Sequence, residues 1–222
     1  MITTPELIDS LATKAGPVKR LHPPVTRAFI WLGLAGLMLA LMALVHGVRP
    51  DLATRIGEPI FLLALASSLL TGIFAAIAAF LVSLPDRSRL WMLLPLPAFF
   101  AWMSTISYGC LTQWVAPMPA AGYGGEVRCF ALMLLLFVPL SLIFLLMVRY
   151  AASFRARPVT ITGSLAVAGI VATGLSLFHD HNAAAIVLLW NVGVAVFIVG
   201  LSCLFGNRVL SWIAPRPLFG RP

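Results

Sequence analysis

Six long stretches without any Asp, Glu, Lys or Arg are the strongest constraint on the fold of this chain. An α-helix needs about 20 apolar residues to cross the hydrocarbon core of a bilayer, and each stretch supplies them. Because lipid cannot hydrogen-bond to free backbone groups, each stretch is predicted to form a transmembrane helix. The stretches are residues 28–48, 59–85, 90–125 (roughly its first 20 residues), 129–148, 158–179 and 181–207.

The composition and the placement of charge support the same fold class. Of the 222 residues 61% are hydrophobic and 10% are charged, whereas a soluble domain carries roughly 25% charged residues. Twelve of the fifteen Lys and Arg residues fall in the N-terminal segment, the second and fourth connections and the C-terminal tail. Only Arg49, Arg55 and Arg128 fall in the other connections. This positive-inside bias predicts an all-α polytopic membrane protein of six transmembrane helices with both termini cytoplasmic.

The same bias accounts for the net charge of +8 without nucleic acid, because basic residues near helix ends contact anionic lipid headgroups. We expect three parts: a cytoplasmic partner-binding helix with a basic tether at 1–27, a transmembrane domain at 28–207 and a cytoplasmic tail at 208–222. We expect a membrane-lipid environment and no direct nucleic-acid contact. The sequence leaves the oligomeric state open.

A short amphipathic helix is predicted ahead of the first stretch. Thr4 and Pro5 suit its start, and Leu7, Ile8 and Leu11 form one apolar stripe. The polar face carries two acids and one Lys, and the apolar face has no aromatic residue, unlike a helix that floats on lipid. We therefore favour a protein partner that holds the helix in a groove. The partner contact is expected to extend through Pro17, Val18, Arg20 and Leu21.

Two cysteines bracket the long third connection, which the predicted topology places outside the membrane. Eighteen residues separate Cys110 from Cys129, and a disulfide closing such a loop contributes about 3 kcal/mol by chain-entropy arguments. Redox or metal chemistry of the pair stays equally open. His179, Asp180 and His181 form an outer turn that could join the thiols in binding a soft metal, although the spacing favours a plain polar turn.

Close helix contacts and kinks are expected within the stretches. Small residues at spacings of three or four define three predicted contact faces: Gly33 with Gly36, Ser68 with Gly72 and Ala76, and Gly169 with Thr173. Pro95, Pro97 and Pro139 lie inside apolar stretches and are predicted to kink the third and fourth helices.

Several kinds of chemistry are missing from the sequence. No Asp, Glu, Lys or Arg falls in the middle of a stretch, which argues against an ion-coupled transporter. The hydrolase, zinc-protease and phosphate-loop motifs are absent, so we expect neither an enzyme nor a cofactor. Two rival hypotheses remain. One is a small-molecule channel or exporter, whose cavity polar side chains such as Asn191 would line; the other is a structural scaffold.

Several motifs resemble one family, the NrsF-type membrane anti-sigma factors. They are LIDSLATKAGPVKRLHPPVTRA before the first stretch, GVRPDLATRIGEPIFLLALASSLLTGIFAAIAAF after it, SLPDRSR, the GC of Gly109 and Cys110, the RCF of Arg128 to Phe130, and Trp190. The similarity runs over nearly the whole chain, and the first eighty residues carry its most specific part.

The resemblance implies a six-span protein of the bacterial inner membrane. In this family the cytoplasmic N-terminal segment binds an extracytoplasmic-function sigma factor and keeps it from RNA polymerase. Periplasmic cysteines of the family are linked to sensing oxidants or heavy metals. A family cysteine commonly follows a His in the last outer turn, but here that turn is His179, Asp180 and His181. We therefore expect either that Cys110 replaces the missing partner of Cys129 or that the histidines make a metal site.

Overall fold

The computed structural model describes residues 4, 6, 9, 13, 23–84, 86–115, 123–148 and 156–178. All regular elements in these ranges are helical. They are α1 (Pro24–His46), α2 (Leu52–Arg55), α3 (Pro59–Val82), α4 (Leu96–Val115), α5 (Tyr123–Val148) and α6 (Ala156–Phe178), with a 3-10 helix, Arg89–Leu93, leading into α4. Five candidate membrane spans among the described residues confirm the all-helical class and match the first five predicted stretches. The sixth stretch, 181–207, lies outside the described residues.

Proline and glycine set the ends of the helices. Pro24 and Pro59 occupy the first positions of α1 and α3, where the missing N–H has no helical partner to lose. Gly47 ends α1 with φ of +74°, a backbone conformation that glycine adopts without steric cost. The first helix starts at Pro24 rather than at the predicted residue 28, so Arg27 belongs to its first turn instead of the preceding loop.

The prolines of the third stretch lie at the junction between the 3-10 helix and α4 rather than deep inside one α-helix, and their predicted kink stays a prediction. Pro95 immediately precedes α4 and Pro97 is its second residue. In a first turn proline fits without breaking a helical hydrogen bond, so both residues help to start α4. Pro139, in contrast, lies inside α5 as the sequence predicts.

The tightest helix packing joins α3 to α6 through small residues. A Cβ atom added to Gly169 would lie 2.6 Å from the backbone nitrogen of Gly72 and 2.8 Å from the carbonyl oxygen of Ser68. The hydroxyls of Ser68 and Thr173 share a hydrogen bond of 3.0 Å across the same interface. The predicted contact faces of α3 and α6 are confirmed. The predicted face of α1 stays a prediction: among the described residues, a Cβ added to Gly33 or Gly36 meets no atom within 4 Å.

The hydrophobic core lies between α1, α3, α5 and α6, whereas α4 packs on α3. Large residues at the centre of this core include Trp31, Phe80, Leu136 and Leu140. Many Leu, Ile and Phe side chains on the outer faces of the helices are exposed, as expected for surfaces that contact lipid. The helix arrangement therefore matches a membrane bundle in which protein packing and lipid divide the apolar surface.

We predict that Gly169→Ala destabilises the bundle, because the new methyl group would collide with the backbone of α3. Overpacking of this kind costs on the order of 1–3 kcal/mol, and thermal unfolding in detergent measures it. Gly33→Ala is the matched control, since its methyl group enters open space and the helix propensity of Ala favours it. Equal midpoints for the two variants would contradict the close α3–α6 contact.

Candidate functional site

The N-terminal segment has helical structure at each residue that is described there. Thr4, Glu6, Asp9 and Thr13 are all helical and exposed. The Thr13 hydroxyl donates to the carbonyl oxygen of Asp9 at 2.7 Å, which is the spacing of one helical turn. Thr4 lies within this helix rather than capping it. The exposed polar residues agree with the predicted polar face, whereas the predicted partner-binding residues lie outside the described residues. These are Leu7, Ile8, Leu11, Pro17, Val18, Arg20 and Leu21.

A network of ion pairs occupies the connection between α1 and α3. Arg49 donates from Nε and Nη2 to the two carboxylate oxygens of Asp51 at 2.6 and 2.7 Å. Arg55 lies 3.6 Å from the Asp51 carboxylate and donates to Glu58 at 3.0 Å. In the sequence both arginines look only like topology signals, so this network was not predicted. The alternation of basic and acidic residues over positions 49–58 is the pattern that indicates it.

Arg49 also connects this network to two helices. Its backbone N–H donates to the carbonyl oxygen of Leu177 at 3.2 Å, and its guanidinium lies 5.9 Å from the ring centre of Phe61. The side chain is only 6% exposed. The connection is thereby attached to the last turn of α6 and the first turn of α3. We call this end of the bundle the Arg49 end.

The predicted outer metal turn follows α6 at the Arg49 end. His179, Asp180 and His181 lie outside the described residues, and their metal binding stays a prediction. In the described part of the chain, no group of three or more His, Cys, Asp or Glu side chains comes together as a metal site.

The guanidinium of Arg49 donates two hydrogen bonds to Asp51 and so holds the pKa of that carboxyl below its usual range. Partial desolvation opposes this shift, and the positive charges of Arg49 and Arg55 add to it. The carboxylate form of Asp51 is therefore stabilised in the folded protein.

The two cysteines of the predicted sensor lie in helices. Cys110 belongs to α4 and Cys129 to α5, so the third connection is helical at both its ends. This corrects the prediction that the cysteines bracket an irregular loop of residues 111–128. The helix α4 packs on α3, whereas α5 packs on α6 and α1. The side chains of both cysteines are outside the described part, and their pairing stays a prediction.

An aromatic cluster joins the helices at the opposite end, which we call the Arg27 end. The ring of Phe144 in α5 lies 5.9 Å from Trp31 in α1 and 5.4 Å from Phe80 in α3, measured between ring centres. Trp31 Nε1 donates to the carbonyl oxygen of Leu140 at 3.3 Å. Gly163 of α6 packs against the Phe144 ring so closely that a Cβ would overlap it. The cluster therefore lies where the N-terminal segment leads into α1.

Arg27 covers this aromatic cluster. Its guanidinium carbon lies 5.2 Å from the ring centre of Phe80, and the residue is 5% exposed. The Nη2 atom is buried and makes no hydrogen bond. A cation over an aromatic face is attracted to it, but such a contact does not replace the hydrogen bonds that water would make.

A family model described as negative regulator of sigma F, NrsF, matches residues 11–212. The chain belongs to the NrsF family. Membership confirms the resemblance found in the sequence and carries the role that the family description states, negative regulation of a sigma factor. No curated protein and no solved structure matches the chain.

One groove on this NrsF protein bears on the channel hypothesis. It has a volume of about 480 Å³, and apolar side chains of α1 and α5 line it, among them Met38, Leu135 and Val138. The buried hydroxyls of Ser68 and Thr173 bond to each other across a helix interface instead of facing a cavity. The polar lining that a channel or exporter needs is therefore not found at this groove.

We predict that acid weakens the Arg49 end of this NrsF protein. Since the pKa of Asp51 is lowered by folding, its contribution is complete above the ordinary value of 3.8 and is lost as pH falls through the folded pKa. Thermal midpoints measured between about pH 6 and pH 3 should fall more steeply in wild type than in Asp51→Asn. Glu58→Gln, which removes only the exposed pair with Arg55, is the control and should follow wild type. Parallel curves for wild type and Asp51→Asn would refute the prediction.

Proposed function

We propose that this protein is a membrane-bound anti-sigma factor with a cytoplasmic N-terminal segment. This segment, residues 1–27, sequesters an extracytoplasmic-function sigma factor, and a periplasmic oxidant or heavy-metal signal releases it. The observation that carries the proposal is the NrsF family match, which extends over residues 11–212. The proposal takes the bacterial inner membrane as the location and places both termini and the Arg27 end in the cytoplasm.

The composition of the N-terminal helix supports its role as the partner-binding element. A helix of about a dozen residues is marginal alone in water, so its apolar stripe needs a cover. Asp9 and Thr13 are exposed, and helical periodicity in the sequence predicts Leu7, Ile8 and Leu11 on the opposite face. A groove on the sigma factor supplies the cover in our proposal, as amphipathic helices commonly bind.

In this proposal the helix α5 transmits the signal from the periplasmic face of the membrane to the cytoplasmic face. Cys129 lies near its start and Phe144 near its end, fifteen positions apart, which corresponds to about 22 Å along a helix axis. Phe144 contacts Trp31, which is the eighth residue of α1 counted from Pro24. A signal acts through this route only if it has different affinity for the sigma-binding and sigma-releasing arrangements.

We predict that the double variant Leu7→Asp/Leu11→Asp loses sigma-factor binding, because two buried carboxylates cannot be accommodated in an apolar groove. Co-purification of the full-length protein with the sigma factor measures the effect, and a loss of at least tenfold in affinity is expected. The control is Thr4→Asp/Thr13→Asp, which adds the same charge on the exposed face. A partner that remains bound to the Leu variant, or no sigma partner at all, would count against the proposal.

We predict that Cys110→Ser/Cys129→Ser keeps the sigma factor bound when oxidant is added. The reason is that the thiols are the groups through which an oxidant acts in this proposal. A reporter gene driven by the sigma factor measures release in cells treated with diamide. Cys203 is the third cysteine of the chain and falls in the sixth predicted stretch, near its cytoplasmic end. Cys203→Ser is therefore the matched control and should respond like wild type. A normal response of the double Ser variant would overturn the sensing role and favour the scaffold hypothesis.

A second arm of this experiment separates oxidant from metal. The variant His179→Ala/His181→Ala should keep the diamide response, and it should lose the response to zinc or cadmium if the outer turn supplies metal ligands. An unchanged metal response would remove the histidines from the sensor while leaving the role of the thiols intact.

A further inference from the structure

The two ends of the bundle balance their charges differently. At the Arg49 end both described arginines, Arg49 and Arg55, pair with Asp51 and Glu58. Apart from the N-terminal segment with its described acids Glu6 and Asp9, the described residues at the Arg27 end include four arginines and one acid. These are Arg27, Arg87, Arg89 and Arg157 with Asp86. The described part of the Arg27 end therefore has a surplus of positive charge.

Arg27 is the buried member of this surplus. The residue is 5% exposed and its Nη2 atom makes no hydrogen bond, which is the only such case among the buried side-chain atoms of the described residues. A buried cation without a hydrogen-bonded anion is costly, by more than the attraction of the Phe80 ring returns. The geometry points to an anion that completes this site.

The position of Arg27 decides which anion is close. Arg27 is the fourth residue of α1, so it lies about 5 Å along the axis from the start of the first membrane span. Val25, Phe29 and Ile30 on the same two turns are exposed and apolar, as expected for contact with acyl chains. No side chain caps the helix and no acid occupies its first turn. Because a span begins next to the headgroup layer, the phosphates of that layer are the nearest anions that a bilayer supplies.

We propose that Arg27 binds the headgroup phosphate of an anionic phospholipid. The guanidinium presents paired N–H donors that match two phosphate oxygens, and the adjacent apolar face of α1 contacts the acyl chains of the same lipid. The stem of a first-turn arginine lies along apolar surface while its guanidinium stays at the level of the headgroups. The uncapped first turn of α1 adds a positive helix end to the site.

The test compares the full-length protein in nanodiscs of phosphatidylcholine with discs containing phosphatidylglycerol of the same acyl chains. We expect phosphatidylglycerol to raise the thermal midpoint of the wild type. Native mass spectrometry should show this lipid retained roughly tenfold more strongly than phosphatidylcholine. Arg27→Met keeps the apolar stem and should lose both effects. In phosphatidylcholine alone, Arg27→Met should be at least as stable as wild type, because an unpaired buried charge has been removed.

Arg89→Gln is the matched control, since it removes an exposed cation from the same end and should keep the lipid preference. If Arg27→Met does not fold, Arg27→Lys replaces it and should retain charge but lose most of the preference.

An equal preference in wild type and the Arg27 variants would overturn the site. Inorganic phosphate that reproduces the shift in phosphatidylcholine discs would overturn the lipid as its source. Sigma-factor binding, measured in parallel, reports separately on the proposed function. An Arg27 that matters there, without lipid preference, would assign the site to an acidic protein partner and overturn our proposal.

Discussion

The contact of α3 with α6 at Gly72 and Gly169 is the constraint on which the rest of the bundle depends. Two backbones meet there with no room for a Cβ, and the Ser68–Thr173 hydrogen bond crosses the same seam. In lipid, where apolar surfaces gain little from leaving the solvent, such packing and hydrogen bonding are what hold helices together. The α3–α6 pair is therefore the support against which α1, α4 and α5 are positioned.

The two ends of the bundle differ in whether their buried arginine has an acidic partner. The Arg49 end binds its own connection through the bidentate pair with Asp51 and the backbone bond to Leu177. The Arg27 end instead holds a cation that no described residue neutralises. Arg49 pairs with an acid of the chain itself, whereas Arg27, in our proposal, pairs with the phosphate of a lipid. A protein that binds a partner beside the membrane at that end gains a fixed position relative to the headgroups.

Sequence patterns predicted much of the fold because the bilayer imposes a length and a composition on each span. The five described spans and the small-residue faces of α3 and α6 follow directly from that constraint. The patterns failed where the packing of neighbouring helices decides which residues are buried or in contact. Gly33 and Gly36 have the same spacing as a contact face, yet none of the other described helices approaches them. Arg27 looks like a topology signal in sequence, and only tertiary packing against Phe80 reveals its burial. The sequence identified which residue types belong to the candidate site. It did not predict that Cys110 and Cys129 lie in helices, because that depends on where α4 ends and where α5 begins.

The helical placement of Cys129 changes what a chemical event at that thiol has to do. A thiol in a loop can react without moving the bundle, but a thiol within α5 is attached to a continuous helix that passes Leu140 and Phe144. Pro139 lies between Cys129 and Leu140 and lacks the N–H that would bond to the carbonyl of Leu135, so the helix is weakest there. Trp31 donates to the carbonyl of Leu140, immediately beyond the proline, and so links α1 to the far part of α5. If the part of α5 before Pro139 moves, α5 either bends at Pro139 or moves as a whole together with Trp31. Only in the second case does the movement reach the N-terminal segment.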